Sequence, residues 1–284
     1  MGLGYLVKRA RFRGWLIIAI ATAAAGITWL VPRFTDSPVY FDFADQRGLF
    51  GIPHFMDVVS NAPYAVIGVL GLLFIGQSPE SSFGERWERR AFAALFFGLL
   101  LVAGGSVYFH LAPSPATLLW DRLPMTIVFM SFFAIVAGDR INRRAGRILF
   151  APLLAAGIAS VLYWRYTELA GRGDLRWYVL VQFFPMLALP ILAVFPGRFG
   201  RKRDFAVVAG LYALAKLFEV IDAKVFAATG FISGHTLKHL TSALAAGWLL
   251  RMTVDSMGTH RNGLPDEPGC VRIDLTGQRD KSPS

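Results

Sequence analysis

About eight apolar runs alternate with short polar segments along this chain. Each comes near the roughly 20 residues that a helix needs to cross the hydrocarbon core of a bilayer. The first covers Trp15 to Val31, and the others fall near 56–77, 91–110, 117–138, 148–164, 176–195, 205–226 and 235–251. The pattern predicts an all-α fold, a polytopic transmembrane helical bundle. Pro185 and Pro190 predict a kink in the sixth span. Lys216, Glu219 and Asp222 interrupt the seventh. After Arg251 the chain is rich in Gly, Pro and charge without periodicity, which predicts a disordered cytoplasmic tail over 253–284.

Composition sharpens this picture. With 55% hydrophobic and 17% charged residues, the chain is no ordinary soluble domain. A net charge of +10 is compatible with nucleic-acid binding in principle. The basic residues instead sit in short clusters between apolar runs, at the N-terminus and in every second loop, so no nucleic-acid partner is expected. That is the positive-inside pattern, and it places both termini in the cytoplasm. Residues 1–13 form the basic N-terminus, and 14–31 form an additional N-terminal transmembrane helix. That run is long and no small-residue cleavage site follows it, which argues against a signal peptide. Arg-rich loops suggest a GC-rich bacterial source and hence an inner (plasma) membrane.

The candidate chemistry is scarce and clustered. The chain has 5 histidines, at 54, 110, 235, 239 and 260, and its single cysteine, Cys270, lies in the polar tail. Any bound metal must therefore use imidazole and oxygen ligands. His235 and His239 are four apart, which puts both rings on one face of a helix. His110 ends the third span, Asp121 stands near the start of the fourth, and the two histidines open the last. Alternating orientation puts all four on the outer membrane face. Three histidines and a water make an open tetrahedral zinc site. Asp121 would serve as a carboxylate for acid–base work, and Ser106, four residues before His110, as a hydroxyl donor to an oxyanion. These parts suit hydrolysis of an amide or ester, and an apolar bundle suits a lipid substrate.

Plainer readings stand beside these. The histidines could be separate interfacial residues. Asp121 could cap the fourth span or pair with Arg122, and Ser106 could be a small residue for close packing after Gly104-Gly105. Lys216 and Glu219 are expected to form an intrahelical pair; Asp222 or Glu219 could instead meet Lys238 or hydrogen-bond a ligand histidine. Asn61 is expected to hydrogen-bond between helices, and His54 to lie at the surface. A transporter using Lys216, Glu219 and Asp222 as a path would spread polar residues through the membrane depth, whereas most of them gather at one face.

Ser106-x-x-x-His110, Asp121 within Leu-Trp-Asp-Arg-Leu-Pro, and His235-x-x-x-His239 together resemble the alkaline ceramidase family. These are membrane zinc amidases related to the progestin and adipoQ receptor proteins. The resemblance covers 54–252, and Asp57-Val58-Val59-Ser60-Asn61 is similar to the family's Asn-Thr-x-Ser-Asn. It implies a seven-helix ceramidase-like core over 54–252, with the span at 14–31 as an addition. It implies that His110, His235 and His239 bind zinc while Ser106 and Asp121 assist attack of water on the amide of a ceramide-like membrane lipid. Characterised members carry calcium-binding acids just upstream. Here His54 falls where one such Glu would be, leaving only Asp42 and Asp45, so calcium regulation is not expected. The wider superfamily leaves two further readings open, a receptor-like protein with structural zinc and a hydrolase of another lipid amide or ester.

Overall fold

The structure, a computed structural model, describes residues 3–261 and is built of helices, with no strand among the described residues. In chain order the helices are α1 (Leu3–Leu30), α2 (Phe55–Val59), α3 (Ala62–Gln77), α4 (Arg86–Leu111), α5 (Pro115–Arg140) and α6 (Arg143–Leu169). They continue with α7 (Arg176–Ala193), α8 (Lys202–Val220), α9 (Asp222–Thr229) and α10 (Gly234–Arg261). Six segments are long and apolar enough to cross a membrane: Ala10–Leu30, Phe55–Gln77, α4, α5, α6 and α7. This is the make-up of a multi-pass membrane protein. The expected seventh and last spans form as α8 and α10, but their Lys216, Glu219, His235, Lys238 and His239 leave them too polar to join that set.

Two of the expected runs are broken where polar side chains have work to do. The run over 56–77 divides at Ser60-Asn61 into α2 and α3. The run over 205–226 divides at Ile221 into α8 and α9, and α9 ends at Gly230 in the left-handed conformation, φ 72°. The last helix is longer than its apolar stretch. It continues past Arg251 to Arg261 and buries Met252, Thr253 and Met257, so the expectation of disorder from 253 is corrected over 253–261. The rest of the expected tail, 262–284 with Cys270, lies outside the described residues.

Helix ends follow from local chemistry. Ser114 caps α5: its hydroxyl accepts from Thr117 N while Thr117 reaches back to Ser114 N, and Pro115 occupies the first turn. The last carbonyls of α1 are taken by Arg176, whose Nη1 donates to Trp29 O at 3.2 Å and Val31 O at 2.6 Å. Asp174 orients that guanidinium through bonds of 2.8 Å to Nε and Nη2. Orphan carbonyls at a helix end require such a donor. Otherwise α1 packs mainly along α7, with Trp15, Ile27 and Trp29 exposed as lipid-facing side chains would be.

The core lies between α3, α4, α5, α7, α8 and α10 and includes Phe92, Leu95, Phe96, Leu99, Phe132 and Leu192. The two ends of the bundle differ. At the C-terminal end of α5, Arg140 donates to Phe195 O, Phe199 O and Gly200 O, and Asp139 accepts from Arg198 N and Phe199 N. This ties down the basic loop after α7. The opposite end holds the polar residues of interest.

Candidate metal centre

The site begins with the N-terminus of α10. The first N–H groups of any helix lack intrahelical partners. Here Asp222 Oδ1 accepts from His235 N at 2.7 Å, Ser233 Oγ from Thr236 N at 3.0 Å and Ser233 O from Leu237 N at 3.1 Å. Asp57 of α2 then accepts from the hydroxyls of Thr236 at 2.6 Å and Ser233 at 3.3 Å. Two carboxylates thus stand at the positive end of this helix. Gly234 is required there, because a Cβ would meet Phe218 O and the backbone of Asp222. The turn is thereby set, and His235 and His239 project one turn apart.

His110, in the last turn of α4, meets them. The three rings are buried, with exposures of 1%, 4% and 4%, and their candidate ligand atoms lie within 4.8 Å of one another. Ring centroids are 4.8 Å apart for His110–His235, 5.0 Å for His110–His239 and 4.8 Å for His235–His239. This group could hold a metal ion. Two observations fit that use. Three neutral imidazoles are a donor set suited to zinc with an open fourth position, and His110 Nδ1 is buried without any hydrogen-bond partner. A buried polar nitrogen left bare is uncommon unless something binds there.

Hydrogen bonds around the rings set their tautomers. His239 Nδ1 lies 2.8 Å from Ser60 Oγ, and Ser60 Oγ is 3.1 Å from Asp57 O. A carbonyl only accepts, so Ser60 gives its single proton to Asp57 O, and His239 Nδ1 is the N–H donor to Ser60. That leaves Nε2 of His239 with a free lone pair. Asn61 Nδ2 donates to Asp57 O at 2.7 Å and stands 3.4 Å from the same Nδ1. The break between α2 and α3 is thus what presents Ser60 and Asn61 to a histidine of α10. Lys238 Nζ lies 2.8 Å from His235 Nε2.

Ser106 and Asp121 join the group from α4 and α5. Gly105 lets these helices close up: a Cβ there would run into the carbonyl of Trp120. Ser106 and Asp121 are buried, and both line a cavity of about 400 Å³ whose wall also includes His239, Asn61 and Lys238. Asp121 is not a cap, since α5 starts at Pro115 under Ser114. Nor does it pair with Arg122, which turns to Asp36 through bonds of 2.8 and 2.5 Å and packs under Trp164 and Tyr178. Away from the polar end the cavity is apolar, reaching Leu99, Phe132, Met186, Val208, Ala246 and Leu249. From His239 to Leu249 it follows ten residues of α10, on the order of 15 Å.

The segment before α2 covers the site. Phe43 packs against the rings of His110 and His235, both at 4.6 Å. Asp222 Oδ2 holds Ala44 N at 3.0 Å. Asp45 accepts from Arg47 N, Nε and Nη2, and these hydrogen bonds hold its carboxyl below the usual aspartate range. Arg47 also donates to Gly230 O at 3.3 Å and Phe231 O at 2.7 Å. His54 is half-buried: its ring meets Phe43 at 5.4 Å and its Nδ1 is 3.3 Å from Asp45 O. Glu219 pairs with Lys216 at 2.7 Å and also with Lys238 at 3.2 Å.

Sequence reading missed Phe43, and it took Ser60 and Asp57 only as part of a motif. Phe43 carried no signal. A Ser-Asn pair inside an apolar run, three residues after an acid, was the available sign of the other two.

The class defined by this fold and site is a multi-pass helical membrane protein with a buried three-histidine group able to hold a metal ion. No protein-family model matches the chain, and no curated protein does either.

Proposed function

We propose that this protein is a zinc-dependent hydrolase of the alkaline ceramidase kind, cleaving the amide bond of ceramide-like sphingolipids to a sphingoid base and a fatty acid. In this reading α2–α10 supply a seven-span catalytic core and α1 is the added span. The basic loops face the cytoplasm of a bacterial inner membrane and the histidine group faces outward. One observation carries the proposal: His239, one of three histidines grouped as a candidate metal site, lines the polar head of a long apolar cavity together with Ser106 and Asp121. The chemistry of three imidazole donors with an open position distinguishes such a site from a closed structural one, which has four protein ligands.

Zinc held by the three histidines would supply a Lewis acid and lower the pKa of water in its open position. The chain's own residues do the rest. Asp121 takes a proton from the attacking water and returns it to the amide nitrogen as that bond breaks. Ser106 donates a hydrogen bond to the tetrahedral oxyanion. Ser60 holds His239 in the tautomer that leaves Nε2 unprotonated. The apolar wall receives the acyl chain and excludes water from the reacting end.

The test is zinc stoichiometry on detergent-purified protein beside an amide-release assay on a panel of ceramides. About one zinc per chain is expected, with fatty-acid release that His239→Ala destroys. Asp121→Asn should abolish release and keep most of the metal. Zinc without turnover of any ceramide would overturn the ceramide reading, and absence of bound zinc would overturn the metal centre itself.

A further inference from the structure

Two neutral polar side chains interrupt the apolar wall of the cavity. Gln182 of α7 lies between Tyr178 and Met186, each one turn away, and Tyr212 of α8 lies one turn from Val208. All of them line the cavity. Gln182 Nε2 donates to Tyr212 Oη at 3.0 Å and so joins the two helices. Phe129 packs edge-on against the Tyr212 ring, with centroids 5.7 Å apart. The pair is well below the polar head. The C-terminal end of α8 abuts the start of α10, where a Cβ on Gly234 would meet Phe218 O. Glu219, beside it, pairs with Lys238. Tyr212 is two turns of α8 deeper, on the order of 10 Å along the bundle.

Their hydrogen-bonding capacity exceeds what the pair uses. Gln182 is only 6% exposed. A primary amide offers two N–H donors and an oxygen acceptor, and a phenol offers a donor and an acceptor. With Nε2 as donor, Gln182 Oε1 and the Tyr212 O–H have no protein partner among the described residues. With the amide turned round, the phenol donates to Oε1, and two N–H groups and a lone pair on the Tyr212 oxygen remain. In both arrangements a donor and an acceptor are left side by side. A tie between helices needs only the one bond. Polar groups in an apolar wall are costly without partners, and a ligand hydroxyl, which donates and accepts at once, completes both. We propose that Gln182 and Tyr212 form a hydroxyl-binding subsite, and that the cavity selects lipids whose seated acyl chain carries a hydroxyl near its middle. A plain chain would cover the pair and leave it unsatisfied. That the chain belongs to an amide lipid rests on the reading above, whereas the subsite rests on the cavity and is tested without turnover.

The experiment uses full-length protein in nanodiscs with EDTA present, so that no amide is hydrolysed. Binding of stearamide and 10-hydroxystearamide is compared at equal mole fraction in the bilayer. The hydroxylated amide should bind about ten-fold or more tighter, the scale of leaving buried polar groups unpaired. Gln182→Leu should remove that preference while stearamide binding stays equal or tightens. Tyr212→Phe, which keeps the ring, should lower the preference without weakening stearamide. This split separates a subsite from a structural tie, whose loss would weaken both lipids alike. Equal binding of the two amides by the unsubstituted protein would overturn the proposal, and so would a preference that survives both substitutions. Zinc-loaded protein is then given ceramides bearing the same two acyl chains. Faster turnover of the hydroxylated one, lost in Gln182→Leu, would support the subsite as part of the substrate site. Absence of hydrolysis with the Gln182-dependent binding preference retained would count against the amidase and for the subsite.

Discussion

Ser60 and His239 are 179 positions apart in the chain, and the Ser60 hydroxyl lies 2.8 Å from His239 Nδ1. Because Ser60 spends its own proton on Asp57 O, the contact assigns the ring's N–H to Nδ1 and leaves Nε2 available to a metal. The break between α2 and α3 exists at this contact.

Ser60→Ala should therefore weaken zinc binding by roughly 10- to 100-fold, the range for losing a partner of a metal-bound histidine. Ser60→Thr, which keeps the hydroxyl, should retain most of the affinity. Competition titration against a chelator reads both variants.

The approach of α4 to α5 depends on Gly105. A methyl group there would press on the carbonyl of Trp120, one residue before Asp121. Gly105→Ala should lower stability by about 1–3 kcal/mol, as overpacking does. It should also reduce turnover more than zinc content, since Ser106 and Asp121 move relative to each other while the histidines do not depend on that contact. Thermal unfolding and metal analysis of one preparation check this.

Arg122 and Asp36 form a pair with side-chain exposures of only 4% and 8%. Removing one partner strands a buried charge and should cost about 3–5 kcal/mol. Arg122→Met alone should thus lower the unfolding temperature markedly, and Arg122→Met with Asp36→Leu should recover most of the loss. Failure of the double variant to recover would show that the stacking of Arg122 on Trp164 and Tyr178 matters more than the ion pair.

Asp45 sets a pH limit on the covering segment. The hydrogen bonds from Arg47 depress its folded-state pKa, so its contribution is complete above the ordinary aspartate value and is lost as pH falls through the lower folded value. The protection factors of amides over 42–54, taken against the intrinsic exchange rate at each pH, should be unchanged between about pH 7 and pH 5 and should fall only below about pH 4. Protection lost already near pH 6 would place the control elsewhere.

Much of this architecture was legible in the amino-acid order. Apolar runs located the helices between α1 and α10 to within a few residues, since a chain in hydrocarbon must satisfy its backbone within itself, whereas α1 and α10 run well beyond theirs. Ser114 with Thr117 and Pro115 carried a helix start that local chemistry alone specifies. The spacing of His235 and His239 predicted a shared face, and Lys216 with Glu219 predicted the pair that forms at 2.7 Å. The helix breaks at Ser60-Asn61 and Ile221 were not legible. Each falls where a side chain reaches a distant part of the chain, and nothing in the run of apolar residues encodes a contact 178 or 179 positions away.

The sequence alone therefore determined an all-helical membrane chain with three histidines at helix ends, because periodicity, hydropathy and capping act over a few residues. Only the tertiary structure decided that Asp121 faces the cavity while Arg122 turns to Asp36, that Phe43 covers two of the histidines, and that Lys238 touches His235. Those outcomes depend on which faces of distant helices pack together, and close approaches such as that at Gly105 set them.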